Sequence, residues 1–151
     1  LNYQYGLRYL FKKPFDIIGG LHSIPEPEDV MELGKTALNV LTTFQEAAIS
    51  GDKPIVIAGE RVLITNTFKF DTIYAERIGL DISLIITYKF SLTSGNVSFG
   101  MRATEDCKTN CGNVCKHFGG GGHEKAAGFS VPIESFNNVI TEIQSVIMQN
   151  T

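Results

Sequence analysis

His117-Phe118-Gly119-Gly120-Gly121-Gly122-His123-Glu124-Lys125-Ala126-Ala127-Gly128-Phe129 is the stretch on which the reading of this chain turns. Four consecutive glycines give up side-chain contacts and carry a large backbone entropy cost, so the position must require positive φ angles or the close approach of another group. A bound phosphate is the usual reason. Successive backbone N–H groups in such a loop can form a concave anion nest, and His123 stands where its imidazole adds a side-chain donor. Ala126, Ala127 and Gly128 are small enough to let the next segment pass close under the loop, and Phe129 to Val131 then resume an apolar, strand-like pattern. A flexible linker is the other reading of a glycine run, but linkers are rarely followed by Ala-Ala-Gly-Phe at the head of a strand. The residues therefore point to a binding loop.

The flanks of this loop read as regular elements. Asn110 to Phe118 predicts a short helix running into the glycines. Beyond them, Pro132 and Glu134-Ser135 open a last helix whose Phe136, Val139, Ile140, Ile143, Val146 and Ile147 form a full apolar stripe that needs a sheet to cover. Upstream, Val97 to Ala103 predicts a strand with Ser98, Gly100 and Arg102 two apart on one face. Thr93 to Asn96 is a turn, and Ile82 to Phe90, nearly continuously apolar, predicts a buried central strand. Asp71 can cap a short helix through Ile78, with Gly79 ending it. Pro54 to Ala58 and Arg61 to Asn66 are two β-rich runs with Gly59-Glu60 as a two-residue hairpin connection, so they pair antiparallel. Before them, Ser23 to Asp29 starts a long helix with Val30, Leu33, Ala37, Leu38, Leu41, Phe44 and Ala48 on its core side, stopped at Ser50 to Asp52. The sum is an α/β domain: helices packed on a mixed sheet of about five strands, with an N-terminal helical lead-in.

Bulk properties set limits on partners. The 151 residues suffice for one ordinary domain with a core, and 43% hydrophobic with 19% charged residues lies in the globular range. No run of apolar residues has the length of a membrane span and no signal-peptide pattern opens the chain, so no membrane partner and a cytoplasmic location are expected. A net charge of −3 argues against a broad basic surface gripping long duplex. Any nucleic-acid contact is expected to be local, to a nucleotide or a short single strand with a terminal phosphate.

Few side chains offer chemistry. The guanidinium fork of Arg102 suits a phosphate or a base edge. His123 ends a glycine run, which is no place for a core histidine, so ligand contact is the better reading. Lys125 and His117 add positive character, each read as a solvated side chain. Cys107, Cys111 and Cys115 recur every four residues, which on a continuous helix places them on one face; a metal or cluster is conceivable, yet zinc knuckles come in separated pairs, and three reduced thiols are the better reading.

Gly120-Gly121-Gly122-His123-Glu124-Lys125-Ala126-Ala127-Gly128-Phe129 resembles the Gly-Gly-Gly-His-x-x-Ala-Ala-Gly-Phe signature of the DHH-associated domain, the C-terminal substrate-binding half of DHH-family phosphoesterases. That family includes RecJ-like exonucleases, oligoribonucleases, cyclic-dinucleotide phosphodiesterases and exopolyphosphatase-related proteins. The resemblance covers about Arg61 to Val131. It implies that Gly120, Gly121, Gly122, His123, Ala126, Ala127 and Gly128 bind substrate, that Arg102 faces it from the strand ending Gly100-Met101-Arg102-Ala103, and that Asn66 contacts it from an earlier strand end. The family's strand ends in a Ser-Leu-Arg-Ser-like run; here Ala103 replaces the last serine, so that hydroxyl is missing or comes from Thr104. The resemblance further implies a metal-dependent phosphoesterase with two divalent cations, usually manganese, held in an N-terminal domain around an Asp-His-His motif. This chain carries only His22, His117 and His123, begins at Leu1, and is expected to lack that half. Residues 1–51 then form a connecting arm and linker helix, with Leu1 to Ile24 either the tail of that connection or a packed irregular arm, and residues 52–151 the substrate-binding domain. Two other classes stay open: a non-catalytic RNA-binding module like the C-terminal domain of alanyl-tRNA synthetases, and a scaffold subunit without a metal half.

Overall fold

The structure, a computed structural model, describes residues 26–49, 51–67 and 79–151. The arm expected at Leu1 to Ile24 and the short helix expected between Asp71 and Ile78 lie outside them. The chain divides into two compact units, Leu1–Ala47 and Ala48–Thr151.

In the first unit the acidic pair Glu28 and Asp29 opens helix α1 (Pro27–Ile49), as the helix dipole favours. Its apolar stripe splits. Val30 and Leu38 are buried, whereas Leu41 and Phe44, expected to face a core, are 39% and 72% exposed. Spacing alone marks the stripe but not how far along it a neighbour reaches. No helix among the described residues is long and apolar enough to cross a membrane.

The second unit is a six-stranded sheet. It contains β1 (Ile55–Ile57), β2 (Glu60–Thr65), β3 (Leu84–Ser91), β4 (Asn96–Ala103), helix α2 (Cys111–His117), β5 (Gly121–His123), β6 (Ala126–Pro132) and, after a 3₁₀ turn at Ile133–Ser135, helix α3 (Phe136–Gln149). The strand order is β1-β2-β3-β4-β6-β5, with β2 and β3 parallel and every other pair antiparallel. The apolar run at Ile82 to Phe90 is accordingly an interior strand, with Leu84, Ile85 and Ile86 wholly buried. The sixth strand is one the sequence conceals, because Gly121-Gly122-His123 has none of the β-branched or aromatic residues that mark a strand. The first hairpin turns one residue earlier than Gly59-Glu60. Ala58 and Gly59 are its central residues, at φ 51° and 85°, and Ile57 pairs with Glu60. Two positive φ angles match the right-handed twist of the flanking strands.

The face covered by α2 and α3 carries most of the core, and on the opposite face Leu63 and Ile85, the latter the direct partner of Arg102, are also wholly buried. Val62, Leu84, Ile86, Val97, Phe99, Met101, Ala127 and Phe129 point to the helix side and are covered by Val114 of α2 and Val139, Ile143, Val146 and Ile147 of α3. Phe118, Phe129 and Phe99 stack at centroid distances of 4.7 and 4.6 Å, and Phe136 lies 6.0 Å beyond Phe99. Asn110 caps α2 by accepting the Asn113 N–H at 3.0 Å. Cys111 and Cys115 lie on its buried side, while Cys107 precedes the helix and is buried as well. Burial, reinforced by the neighbouring thiol, pushes Cys111 up to about 11 and Cys115 up to about 12.

Two outcomes follow for stability. Ala58 holds a left-handed conformation that glycine and asparagine adopt more readily, so Ala58→Asn should raise the urea midpoint, by about 0.5–1 kcal/mol of stability. Above pH 9 the thiols of the unfolded chain ionise while Cys111 and Cys115 stay protonated in the fold. The unfolded state therefore binds fewer protons, and stability should fall as pH rises from about 9 towards 11. Urea titrations at pH 8 and 10.5 check this, with the pH slope shallower in a Cys111→Ala, Cys115→Ala variant.

Candidate functional site

The sheet register brings the sequence-identified residues together. Arg102 of β4 and His123 of β5 are each the direct partner of Ala126 on β6, so the three form one row across the sheet with Ala126 in the middle. Directly opposed residues share a face, which places Arg102 and His123 on the same side, two strand spacings or about 9.5 Å apart. Both are exposed, and the alanine between them leaves the gap open. Two residues along each strand, the next row on that face is Gly100, Gly128 and Gly121. Here the sheet is bare backbone. This surface is the reverse of the one that α2 and α3 cover.

The four glycines do different work. At the end of α2, Gly119 has φ 81°, its N–H donates to the Lys116 carbonyl at 3.0 Å, and the Gly120 N–H donates to the Cys115 carbonyl at 2.8 Å. That pair of bonds is the Schellman closure of a helix. It spends on the helix two of the amides that a nest would need. Gly120 and Gly122 are required by proximity: a Cβ on Gly120 would lie 2.3 Å from the Gly128 carbonyl oxygen, and one on Gly122, at φ 144°, 2.6 Å from the Ala127 Cα. Gly112 makes the matching concession on α2, where a Cβ would lie 2.9 Å from the Gly122 carbonyl oxygen. Gly121 is different. A Cβ there would meet nothing within 4 Å among the described residues, and its φ is not left-handed, so none of them calls for glycine at that position.

The turn after β5 is tied down. Cys111 N–H donates to the Glu124 carbonyl at 2.8 Å and Ala103 N–H to the Lys125 carbonyl at 3.0 Å, which fixes the ends of α2 and β4 to the motif. Lys125 is no solvated side chain: its ammonium donates to the Cys107 carbonyl and lies 3.6 Å from Glu124. His117 binds Glu142 of α3 at 2.7 Å and packs edge-on to Phe118, so its imidazole joins the two helices. The Arg102 guanidinium donates to the Met101 carbonyl at 2.9 Å. Thr104, the candidate replacement hydroxyl, donates instead towards the Ser83 carbonyl at 3.4 Å. Asn66 is exposed just past the end of β2, two strand positions from β4 and four, or about 19 Å, from β5. Gly100, which the sequence places on one face with Ser98 and Arg102, and Ser130, which the sequence does not single out, lie on the same face as Arg102. Among the described residues no three His, Cys, Asp or Glu side chains gather as metal ligands.

The sequence matches no protein-family model and no curated protein. Solved structures do match. The pGpG-specific phosphodiesterase PggH of Vibrio cholerae superposes with a TM-score of 0.61 at 16% identity, over 85% of this chain and 45% of that one. The DHH domain of a member of the s1p family of ribosomal proteins superposes with a TM-score of 0.58 at 14% identity, over 81% of this chain and 33% of that one. The chain thus spans less than half the length of either. Its fold is that of the DHH-associated domain.

The glycines should separate cleanly by substitution. Gly120→Ala and Gly122→Ala should each cost about 1–3 kcal/mol or more in urea denaturation, because backbone must move to admit the methyl group. Gly121→Ala and His123→Ala should leave the midpoint within about 0.5 kcal/mol, as surface changes do.

Proposed function

We propose that this chain is the substrate-binding part of a DHH-family phosphoesterase, and that the bare strip between Arg102 and His123 receives a nucleotide or the terminal phosphate of a short single strand. The observation that carries this reading is Gly121. Glycine weakens a strand, no contact with the described residues requires it here, and its missing side chain keeps open the surface next to His123. Gly128 continues that opening onto β6, and Gly100 continues the row onto β4, where the Thr87 hydroxyl of β3 stands beside it. Arg102 on one side supplies a permanent charge with fork geometry for phosphate oxygens. His123 on the other supplies a ring N–H, and protonation would add charge. The part of the fold-sharing protein named as a pGpG-specific phosphodiesterase that this chain matches is under half of it, which agrees with a division into binding and chemical halves.

The described residues offer no cluster of ligands fitted to a pair of manganese ions. In the family that this chain resembles, the cations activate water for attack on phosphorus. The contribution of Arg102, His123 and the glycine floor is to bind the phosphate and orient it, which acts through proximity.

Calorimetric titration tests the reading. A phosphorylated RNA of two to five nucleotides should bind more tightly than a duplex of the same sequence. Arg102→Ala should weaken binding by about 1.5–3 kcal/mol, the range for hydrogen bonds to charged groups. Gly121→Ala should weaken it too, by filling the strip without touching stability. Tighter binding of duplex, or unchanged affinity in Gly121→Ala, would overturn the assignment. In a full-length enzyme, His123→Ala should raise KM before it lowers kcat.

A further inference from the structure

We infer that Thr87 of β3 reads a ribose hydroxyl on the ligand, so that this face selects ribonucleotides over deoxyribonucleotides. This rests on the proposed reading of the Arg102–His123 strip. The row of Gly121, Gly128 and Gly100 does not stop at β4, because Gly100 is the direct partner of Thr87, and Thr87 of Thr65 on β2. Two threonines close the end of the glycine row. The fold accounts for neither hydroxyl. Thr65 is 1% exposed and its Oγ1 has no hydrogen-bond partner, on a face where the neighbouring Leu63 and Ile85 are apolar and wholly buried. Valine would fill that position without leaving a polar group unsatisfied. Thr87 is half-buried, and its hydroxyl donates to the Gly100 carbonyl at 3.4 Å, long for a bond of this kind.

Counting protons decides what Thr87 can take. A threonine hydroxyl has one proton and two lone pairs, and with the proton turned to the Gly100 carbonyl the lone pairs call for a donor on the ligand. Phosphate diester oxygens carry no proton. Sugar hydroxyls do. Arg102 stands two residues along β4 from Gly100, so Thr87 and Arg102 are diagonal neighbours across the β3–β4 pair, with Cα atoms about 7–8 Å apart. A phosphate held at Arg102 thus leaves the sugar of the same nucleotide over Gly100, with its hydroxyls towards Thr87. Once the 3′ oxygen is esterified to a following nucleotide, the 2′-hydroxyl is the donor that remains, and it is the group by which a protein tells RNA from DNA.

Calorimetric titration of the 151-residue chain with three 5′-phosphorylated dinucleotides of one sequence, their first sugar ribose, 2′-fluororibose or 2′-deoxyribose, tests the assignment. Fluorine keeps the ribose-like pucker and removes the proton, so that arm isolates donation from sugar shape. The wild type should bind the ribose form about fivefold more tightly than the other two, the worth of one neutral hydrogen bond. Thr87→Val should bring the ribose form down to the level of the others and leave those unchanged, whereas Thr87→Ser should keep the preference. The wild-type comparison needs no substitution, so it decides even where Thr87→Val does not fold. Equal wild-type affinity for all three, with Arg102→Ala weakening each, overturns the role of Thr87 and leaves the strip standing. A preference that survives in folded Thr87→Val also overturns it, since another residue then reads the sugar. If the wild type binds none of the three, both readings fall.

Discussion

Everything at this site depends on a contact that only glycine permits: at Gly120 and Gly122 the chain lies against the backbone of β6 closer than a side chain allows. The constraint is steric and costs conformational entropy, because a glycine-rich segment has more freedom to lose on folding than any other. The surrounding structure offsets that loss at three places. The end of α2 is closed by the Gly119 and Gly120 amides, the start of α2 is bound to the Glu124 carbonyl, and the end of β4 to the Lys125 carbonyl. Helix, turn and strand thus converge on one short segment, and the stacked phenylalanines beneath it, Phe118 on Phe129 on Phe99, give it a rigid bed. A ligand surface made of backbone needs such support, since it has no side chains of its own to hold it in place.

The two faces of the sheet express a division of labour along each strand. In β4, Val97, Phe99, Met101 and Ala103 are buried, while the alternate Ser98, Gly100 and Arg102 look away from the helices. In β6, Ala127 and Phe129 face the core, and Ala126, Gly128 and Ser130 the opposite side. The strands are therefore read twice, once by hydrophobic packing and once by whatever approaches the other face. A shift of one residue in register would exchange the two sets, so the long β3–β4 and β4–β6 pairings keep the site residues in line as firmly as they keep the core closed.

Much of this was legible beforehand. Apolar periodicity located α3, a nearly continuous apolar run the strand at Ile82 to Phe90, and the spacing of Ser98, Gly100 and Arg102 already marked a common face. What escaped was whatever depends on partners rather than on neighbours in sequence. That His123 stands beside Arg102 follows from both pairing with Ala126, and strand pairing is not written in either strand alone. The glycine run read as a loop because its strand character comes wholly from β6. The hairpin was placed one residue late because alanine at a positive φ, as at Ala58, is an uncommon choice that the pattern gives no reason to expect. Lys125 and His117 read as solvated in the sequence because their partners, the Cys107 carbonyl and Glu142, are distant along the chain.

The position of β5 at the end of the strand order has a consequence for how copies of the chain meet one another. An outermost strand presents unpaired amides and carbonyls that can recruit a strand from another molecule and begin a stack. Here that strand is three residues long and consists of two glycines and a histidine, too short and too poor in strand-forming side chains to serve as a template. The residues that leave the surface bare for a ligand also make it a poor place for a second copy to pair, so solubility and recognition are served by the same absence of side chains.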